Sequence, residues 1–382
     1  MVAQLTDVLV YGDTFRSPEL RHELPIGIPD PVLYAERDGR RHVLTNSMEA
    51  PRLAELDGLE LHLWEELGLD ELVADGLDRA QVADELLRRA VSAFGVRSAV
   101  VPETFPVHVA DLLRADGVEL RSDRLHFDDR RRVKSEAELA GMRRAQRAAE
   151  AGMDAVRDLL RRAGSKGGAL EVDGEPLTSE RIKRAVGQAF VERGATADEF
   201  IVSHGPQAAI GHHMGSGQIR EGEPIVVDLW PRDGESACFA DMTRTFVVGD
   251  PPAEIVEWHR LVLQALEGSI AAVREGVRGR AVFDTACDVF EPAGLPTGRT
   301  KQPGTPLEEG FFHGLGHGVG LEVHEAPSLG LTSKDVLRAG DVVTVEPGLY
   351  RPGLGGVRLE DLVLVTADGA ENLTRYPYDL AP

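Results

Sequence analysis

Residues 313–325 read HGLGHGVGLEVHE. His313, His317 and His324 stand among Gly314, Gly316, Gly318 and Gly320. Glycine admits close backbone approach and unusual φ angles, so imidazoles here are free to point inward from a tight strand or loop. A lone histidine is usually a surface or core residue. Three so close together are best read as one metal ligand plus groups that donate hydrogen bonds to a substrate.

Two other stretches supply the matching acids. REGEPIVVDLW (220–230) and RAGDVVTVEPG (338–348) share Arg, one residue, Gly, an acid, an apolar strand and a further acid. Gly222 lies six positions before Asp228, and Gly340 six before Glu346. A second acid follows in each half: Asp241 thirteen residues after Asp228, Glu360 fourteen after Glu346. Glycine before a strand is an ordinary turn signal. Carboxylates ending runs such as IVV and VVTV are not ordinary, because burial is costly unless they are paired or bind a cation. Period-two alternation puts Arg358 with Glu360 on one face, and Asp241 with Thr243 and Thr245 on another. Four carboxylates converging from two halves repel one another, and two divalent cations neutralise them. Carboxylates with an imidazole suit Mn²⁺, Fe²⁺, Co²⁺ or Zn²⁺. His212 and His213, in AAIGHHMGSG, form a second polar loop from which one ring is a further candidate.

The ordered set Asp228, Asp241, His317, Glu346, Glu360, in the motifs VVDLW, ADMTRTF, HGLGHGVGLEVHE, VEPG and GVRLED, resembles the five-ligand dimetal site of the creatinase, prolidase and methionine aminopeptidase superfamily, the pita-bread fold. The resemblance runs from about residue 133 to the end. It implies a catalytic domain with an internal pseudo-two-fold, holding two divalent ions, Mn²⁺ first among them. It implies that Asp228 binds one metal, that Asp241 and Glu360 bridge both, and that His317 and Glu346 complete the second. Glu346 is then also the acid/base. His313 and His324 resemble histidines that contact substrate and stabilise the tetrahedral intermediate. His212 resembles the histidine near the substrate, with His213 as its rival. Arg358 resembles the arginine beside the last ligand and is expected to pair with Asp241. The implied reaction is hydrolysis of the bond before proline in short peptides, by an Xaa-Pro dipeptidase or an aminopeptidase P type. Two alternatives remain: a metal-dependent lyase or hydrolase on a non-peptide small molecule, which Trp230 at a usual glycine position would suit, and a catalytically silent binding member of the fold. A homodimer is expected from the resemblance alone.

The rest of the chain bounds the reading. With 382 residues, 42% of them hydrophobic, two domains with sizeable cores are expected. A formal net charge of −22 excludes nucleic acid as an obvious partner and argues against a polybasic membrane anchor. Cys238 and Cys287 form no disulfide framework. The opening MVAQLTDVLVYGDTFR carries no basic stretch ahead of its apolar residues, and no apolar run is long enough to span a bilayer. A cytoplasmic protein is the expectation.

In residues 1–130, VLVYG, PVLYAE, HVLTN and AVVPE read as strands and 71–94 as one amphipathic helix. This is a small α/β domain like that found ahead of prolidase and creatinase catalytic domains. DDRRRVK (128–134) reads as a solvated connector. Residues 131–382 open on a helix capped by Ser135 and Glu138, with Leu139, Met142, Ala149, Met153, Val156 and Leu160 on its buried stripe. Further helices near 178–193, 253–275 and 280–290 are mixed, without strict alternation, with β-rich segments. The fold class is therefore α+β with a mostly antiparallel sheet.

Overall fold

A computed structural model describes residues 7–382, so the first six residues of the segment read for a leader lie outside the described residues. Contacts divide the chain into two compact units, one ending at Arg131 and the next starting at Arg132. No helix among the described residues is long and apolar enough to cross a membrane.

The first unit is built on a six-stranded mixed sheet. Its strands are β1 (Val8–Gly12), β2 (Val32–Arg37), β3 (Arg40–Thr45), β4 (Leu59–Leu63), β5 (Ser98–Val101) and β6 (Glu119–Ser122), in the order β4-β3-β2-β1-β5-β6. The expected helix 71–94 is two helices, α1 (Leu69–Ala74) and α2 (Arg79–Phe94). Gly76 breaks it with a positive φ of 81°, and Asp78 starts α2 through a capping box with Gln81. The apolar stripe continues across the break, which is why periodicity alone reads it as one helix. Leu86, Leu87 and Ala90 of α2 pack on Leu9, Leu33 and Leu44 of the sheet.

The second unit repeats one arrangement twice. In its first half α3 (Glu136–Arg162) and α4 (Ser179–Glu192) cover an antiparallel sheet of β7 (Ile201–His204), β8 (Ile225–Leu229) and β9 (Met242–Phe246). In its second half α5 (Ala253–Ala272) and α6 (Gly279–Phe290) cover another antiparallel sheet. The strands of that sheet are β10 (Gly316–Gly318), β11 (Glu325–Leu329), β12 (Val342–Val345), β15 (Asp361–Val365) and β16 (Ala370–Asn372). Their order is β11-β10-β12-β15-β16. Between β12 and β15 lies a hairpin of β13 (Gly348–Arg351) and β14 (Gly355–Arg358). Two helices on an antiparallel sheet, used twice, are the pseudo-two-fold α+β architecture that the resemblance implies.

The basic stretch is not solvated. Arg131 and Arg132 are both buried, and Arg132 makes a two-pronged ion pair with Asp341 at 2.5 and 2.8 Å. Lys134 is paired with Glu325, both side chains almost fully enclosed. The acids that neutralise Arg132 and Lys134 lie about 200 residues away in sequence, so charge density alone misreads them.

Arg244 on β9 ties the two halves together. Its guanidinium, 1% exposed, pairs with Asp361 at 2.9 Å and donates to the carbonyls of Thr243, Glu360, Tyr376 and Pro377. Removing one partner of a buried ion pair strands the other charge. Arg244→Ala is expected to cost about 3–5 kcal/mol, read as a fall in the denaturant midpoint. An unchanged midpoint would show that this junction carries no stability.

Candidate metal and catalytic site

The acids predicted for the site stand at or near strand ends. Asp228 is the next-to-last residue of β8, and Asp241 immediately precedes β9. Glu346 follows β12, where Pro347 has no N–H to continue the ladder. Glu360 lies between β14 and β15. The VRLEDLVLVT and DVVTVEPGLY runs are thus each two strands with an acid at the join. Thr243 and Glu360 form an isolated antiparallel bridge, with the Glu360 N–H donating to the Thr243 carbonyl at 3.1 Å. That bridge brings an acid of one half beside an acid of the other.

The glycines of 313–325 serve close approach, not unusual φ: none of the four takes a positive φ. A Cβ on Gly316 would meet the Thr344 carbonyl oxygen at 2.0 Å, and one on Gly318 the Ala326 carbonyl oxygen at 2.2 Å. Each is backbone, so neither clash relaxes cheaply. β10 is thereby held tightly between β11 and β12, and His317, between the two glycines, is aimed at the acids.

His317 Nε2 stands 3.4 Å from Glu346 Oε1 and 3.9 Å from Asp241 Oδ2. Its Nδ1 donates to the Gly318 carbonyl at 3.0 Å. That bond leaves Nε2 as the lone-pair nitrogen, the tautomer a ligand requires. Asp241, His317 and Glu360 offer ligand atoms all within 4.8 Å of one another. Burial, then Glu360, Asp228 and Glu346, push the Asp241 carboxyl well above its usual range. Burial, Glu346 and Asp228 do the same to Glu360. Glu346 is pushed up to about 7, chiefly by burial and against the pull of Arg358. Burial and the neighbouring His324 lower His317 to about 4.

These residues fit divalent cations. Neighbouring carboxylates raise the pKa of Asp241, Glu346 and Glu360, and Asp228 Oδ1 and Asp241 Oδ1 are buried without a hydrogen-bond partner. An unpaired buried carboxylate oxygen costs several kcal/mol. A cation bound among these atoms removes that cost, and the oxygen-plus-imidazole set is the donor set of Mn²⁺, Fe²⁺, Co²⁺ or Zn²⁺.

Around the acids runs a hydrogen-bonded chain. Arg358 Nη2 donates to Asp228 Oδ2 at 2.5 Å, so Arg358 pairs with Asp228 and not with the expected Asp241. Its Nη1 donates to the Tyr350 hydroxyl at 3.1 Å and its Nε to the Thr243 hydroxyl at 3.3 Å. Thr243 in turn donates to Glu360 Oε2 at 2.6 Å. His313 Nδ1 donates to the Gly314 carbonyl at 2.7 Å, and its Nε2 meets the Tyr350 hydroxyl at 2.9 Å. Burial and Arg358 lower His313 to about 3, so it is neutral at ordinary pH. Both its nitrogens are engaged, which makes it a brace for Tyr350 in this state.

The His324 ring stands edge-on to His317, centroids 4.3 Å apart. His212 lies near enough to both His313 and His324 to help depress their pKa values. His213 instead accepts the Gly215 N–H at 3.0 Å and shapes its own loop. Trp230 packs on the apolar core of the first half. Sequence reasoning missed Tyr350. Period-two alternation could not find it, because β12 ends at Val345 and Tyr350 lies on β13 in a separate sheet.

Tyr350→Phe should lower kcat/KM by roughly 10-fold or more, on the scale of losing one hydrogen-bonded support behind a ligand, with stability changed by about 1 kcal/mol. Unchanged kinetics would separate the Arg358–Tyr350–His313 chain from catalysis.

The model of metallopeptidase family M24 matches residues 140–367. A probable dipeptidase PepE from Mycobacterium bovis is 32% identical over 334 residues, covering 86% of this chain and 80% of the relative. An Xaa-Pro dipeptidase from Pyrococcus furiosus is 35% identical over 185 residues, 48% of this chain and 49% of the relative. Among solved structures, an Xaa-Pro dipeptidase from Bacillus anthracis superposes with a TM-score of 0.78 at 22% identity, over 98% of this chain and 94% of that one. That last likeness is one of fold.

Proposed function

Since the chain belongs to metallopeptidase family M24, we propose that it is a dimetal exopeptidase cleaving the bond before proline in short peptides. The observation that carries this reading is the gathering of Asp241, His317 and Glu360 ligand atoms, with Glu346 beside His317 and with unpartnered buried oxygens on Asp228 and Asp241. Those five side chains would hold two divalent ions, with Mn²⁺ the first to supply. Bound there, the ions would lower the pKa of water and polarise the scissile carbonyl.

The remaining roles fall to the chain itself. Glu346, whose carboxyl lies near pH 7 in the metal-free protein, takes the proton from the attacking water and passes it to the departing proline nitrogen. His324, on the open side of His317, donates to the oxygen that gains charge in the tetrahedral intermediate. His212, near enough to His313 and His324 to act on both, would position the substrate. His313 holds the Tyr350 hydroxyl, and Arg358 fixes Asp228, so the carboxylate geometry is set before substrate arrives.

The proposal extends to a homodimer in the cytoplasm. Two buried free thiols, Cys238 and Cys287, accord with a reducing compartment, and size-exclusion chromatography with light scattering tests the dimer. The function is tested with Xaa-Pro dipeptides, Xaa-Pro-Xaa tripeptides and proline-free controls, using metal-stripped protein resupplied with Mn²⁺, Co²⁺ or Zn²⁺. Metal-dependent cleavage before proline is expected, and the dipeptide-to-tripeptide ratio separates a dipeptidase from an aminopeptidase P type. Bound metal with no cleavage of any peptide would overturn the reading in favour of a non-peptide substrate.

A further inference from the structure

The first unit carries a cluster of ligand-type side chains remote in sequence from the acids described above. β3 and β4 run parallel, with His42 opposite Glu60 and Leu44 opposite His62. Residues opposite one another in a parallel pair share a face, as do residues two apart. His42, Glu60 and His62 therefore project from one side of the sheet. His42 Nδ1 lies 3.2 Å from His62 Nε2 and 3.3 Å from Glu60 Oε2. All three residues offer ligand atoms within 4.8 Å of one another.

Those separations have a geometric meaning. Zinc-to-nitrogen and zinc-to-oxygen bonds of about 2.0–2.1 Å at tetrahedral angles place ligand atoms about 3.3–3.4 Å apart. The edges of 3.2 and 3.3 Å match that spacing. A two-centre hydrogen bond between the two imidazoles accounts for only one of the two edges.

The rings are also held in place. Phe94, at the end of α2, stacks on His42 with centroids 5.0 Å apart and planes 17° apart, and meets His62 at 4.7 Å. Arg40 lies 3.5 Å from Glu60 Oε1, the oxygen not turned to His42, and so orients the carboxylate from behind. Glu60 is exposed, which leaves room for water as a fourth ligand.

We propose that His42, Glu60 and His62 form a second, structural cation site for Zn²⁺ or a similar late first-row ion. Two imidazoles and one carboxylate suit such an ion and not Ca²⁺ or Mg²⁺. β4 is an edge of the six-stranded sheet and pairs with β3. A cation joining residues of both strands fastens that edge. The site makes no use of the peptidase acids, so it stands whatever the substrate proves to be.

The test is equilibrium dialysis of the full chain against Zn²⁺, with metal counted per chain by mass spectrometry, for wild type, His62→Gln and Glu60→Gln. Wild type is expected to hold one equivalent more than either variant, and Mn²⁺-dependent peptide hydrolysis is expected to be the same in all three. The same Zn²⁺ count in wild type and both variants would overturn the site and leave a hydrogen-bonded histidine pair. Loss of the equivalent in both variants, whose altered side chains are exposed or half-exposed, supports it. A difference in Zn²⁺ count without any peptide cleavage would leave this site standing while removing the peptidase reading.

Discussion

Asp241→Asn is expected to abolish metal-dependent peptidase activity and, in the metal-free protein, to raise thermal stability. The two effects have one cause. Asp241 is 4% exposed, one of its oxygens has no partner, and burial together with Glu360, Asp228 and Glu346 drives its carboxyl upward. Each unit of such a shift represents about 1.4 kcal/mol of disfavoured charge. The amide keeps the shape and removes the charge, so the stripped variant should melt several degrees above stripped wild type, at roughly 2–4 °C per kcal/mol for a unit of this size. An amide is a poor substitute for a carboxylate that would hold a divalent cation. Loss of a group merely supporting a ligand costs about 10–100-fold, so kcat/KM should fall by more than about 100-fold. Scanning calorimetry of both proteins in chelator, with kinetics in Mn²⁺, measures both halves. A stripped variant that melts below wild type would mean that Asp241 is an ordinary structural carboxylate. Retained activity would remove it from the site.

The same burial explains why so much of the site could be read from residues alone. A carboxylate closing a run of β-branched residues contradicts its neighbours, and that conflict marks Asp228 and Glu346. The matching Gly222 and Gly340 mark the two halves. The alternation of glycine in 313–325 marks a strand squeezed by its neighbours, although its reason is the backbone of Thr344 and Ala326 and not a left-handed turn. What escaped depended on partners distant in sequence. Arg132 and Lys134 looked solvated because Asp341 and Glu325 are far along the chain. The pairing of Arg358 with Asp241 is expected from the resemblance alone, whereas the fold gives Arg358 to Asp228. His42, Glu60 and His62 mean nothing until β3 and β4 are placed parallel and in register. Local patterns carry which residues are unusual; register and the meeting of the two halves decide which of them touch.

Metal removal should reverse the pH dependence of stability, because the same groups titrate in opposite senses with and without cations. In the stripped protein Glu346 lies near 7, and Asp241 and Glu360 are raised well above their usual values. A carboxyl raised in the folded state stabilises fully below its unfolded pKa, and that contribution is lost as pH rises through the folded value. His317 at about 4 and His313 at about 3 work the other way. Their folded pKa values are depressed, so they add stability as pH rises toward the unfolded value of about 6.5 and nothing beyond it. Below pH 6.5 the two sets oppose each other. Above it only the carboxylates titrate, and stripped protein should lose stability from about pH 6.5 to 8, by up to about 1.4 kcal/mol per pH unit for each proton released. Loaded protein should not, because cations bind the deprotonated ligands and binding strengthens over that window. At 100-fold excess over Kd, binding alone adds about 2.7 kcal/mol. The difference in melting temperature between Mn²⁺-loaded and chelated protein should therefore widen steadily from pH 6.5 to 8. A difference that stays constant or narrows would show that Asp241, Glu346 and Glu360 do not share a cation. The carboxylates would then be charges that the fold tolerates without a ligand.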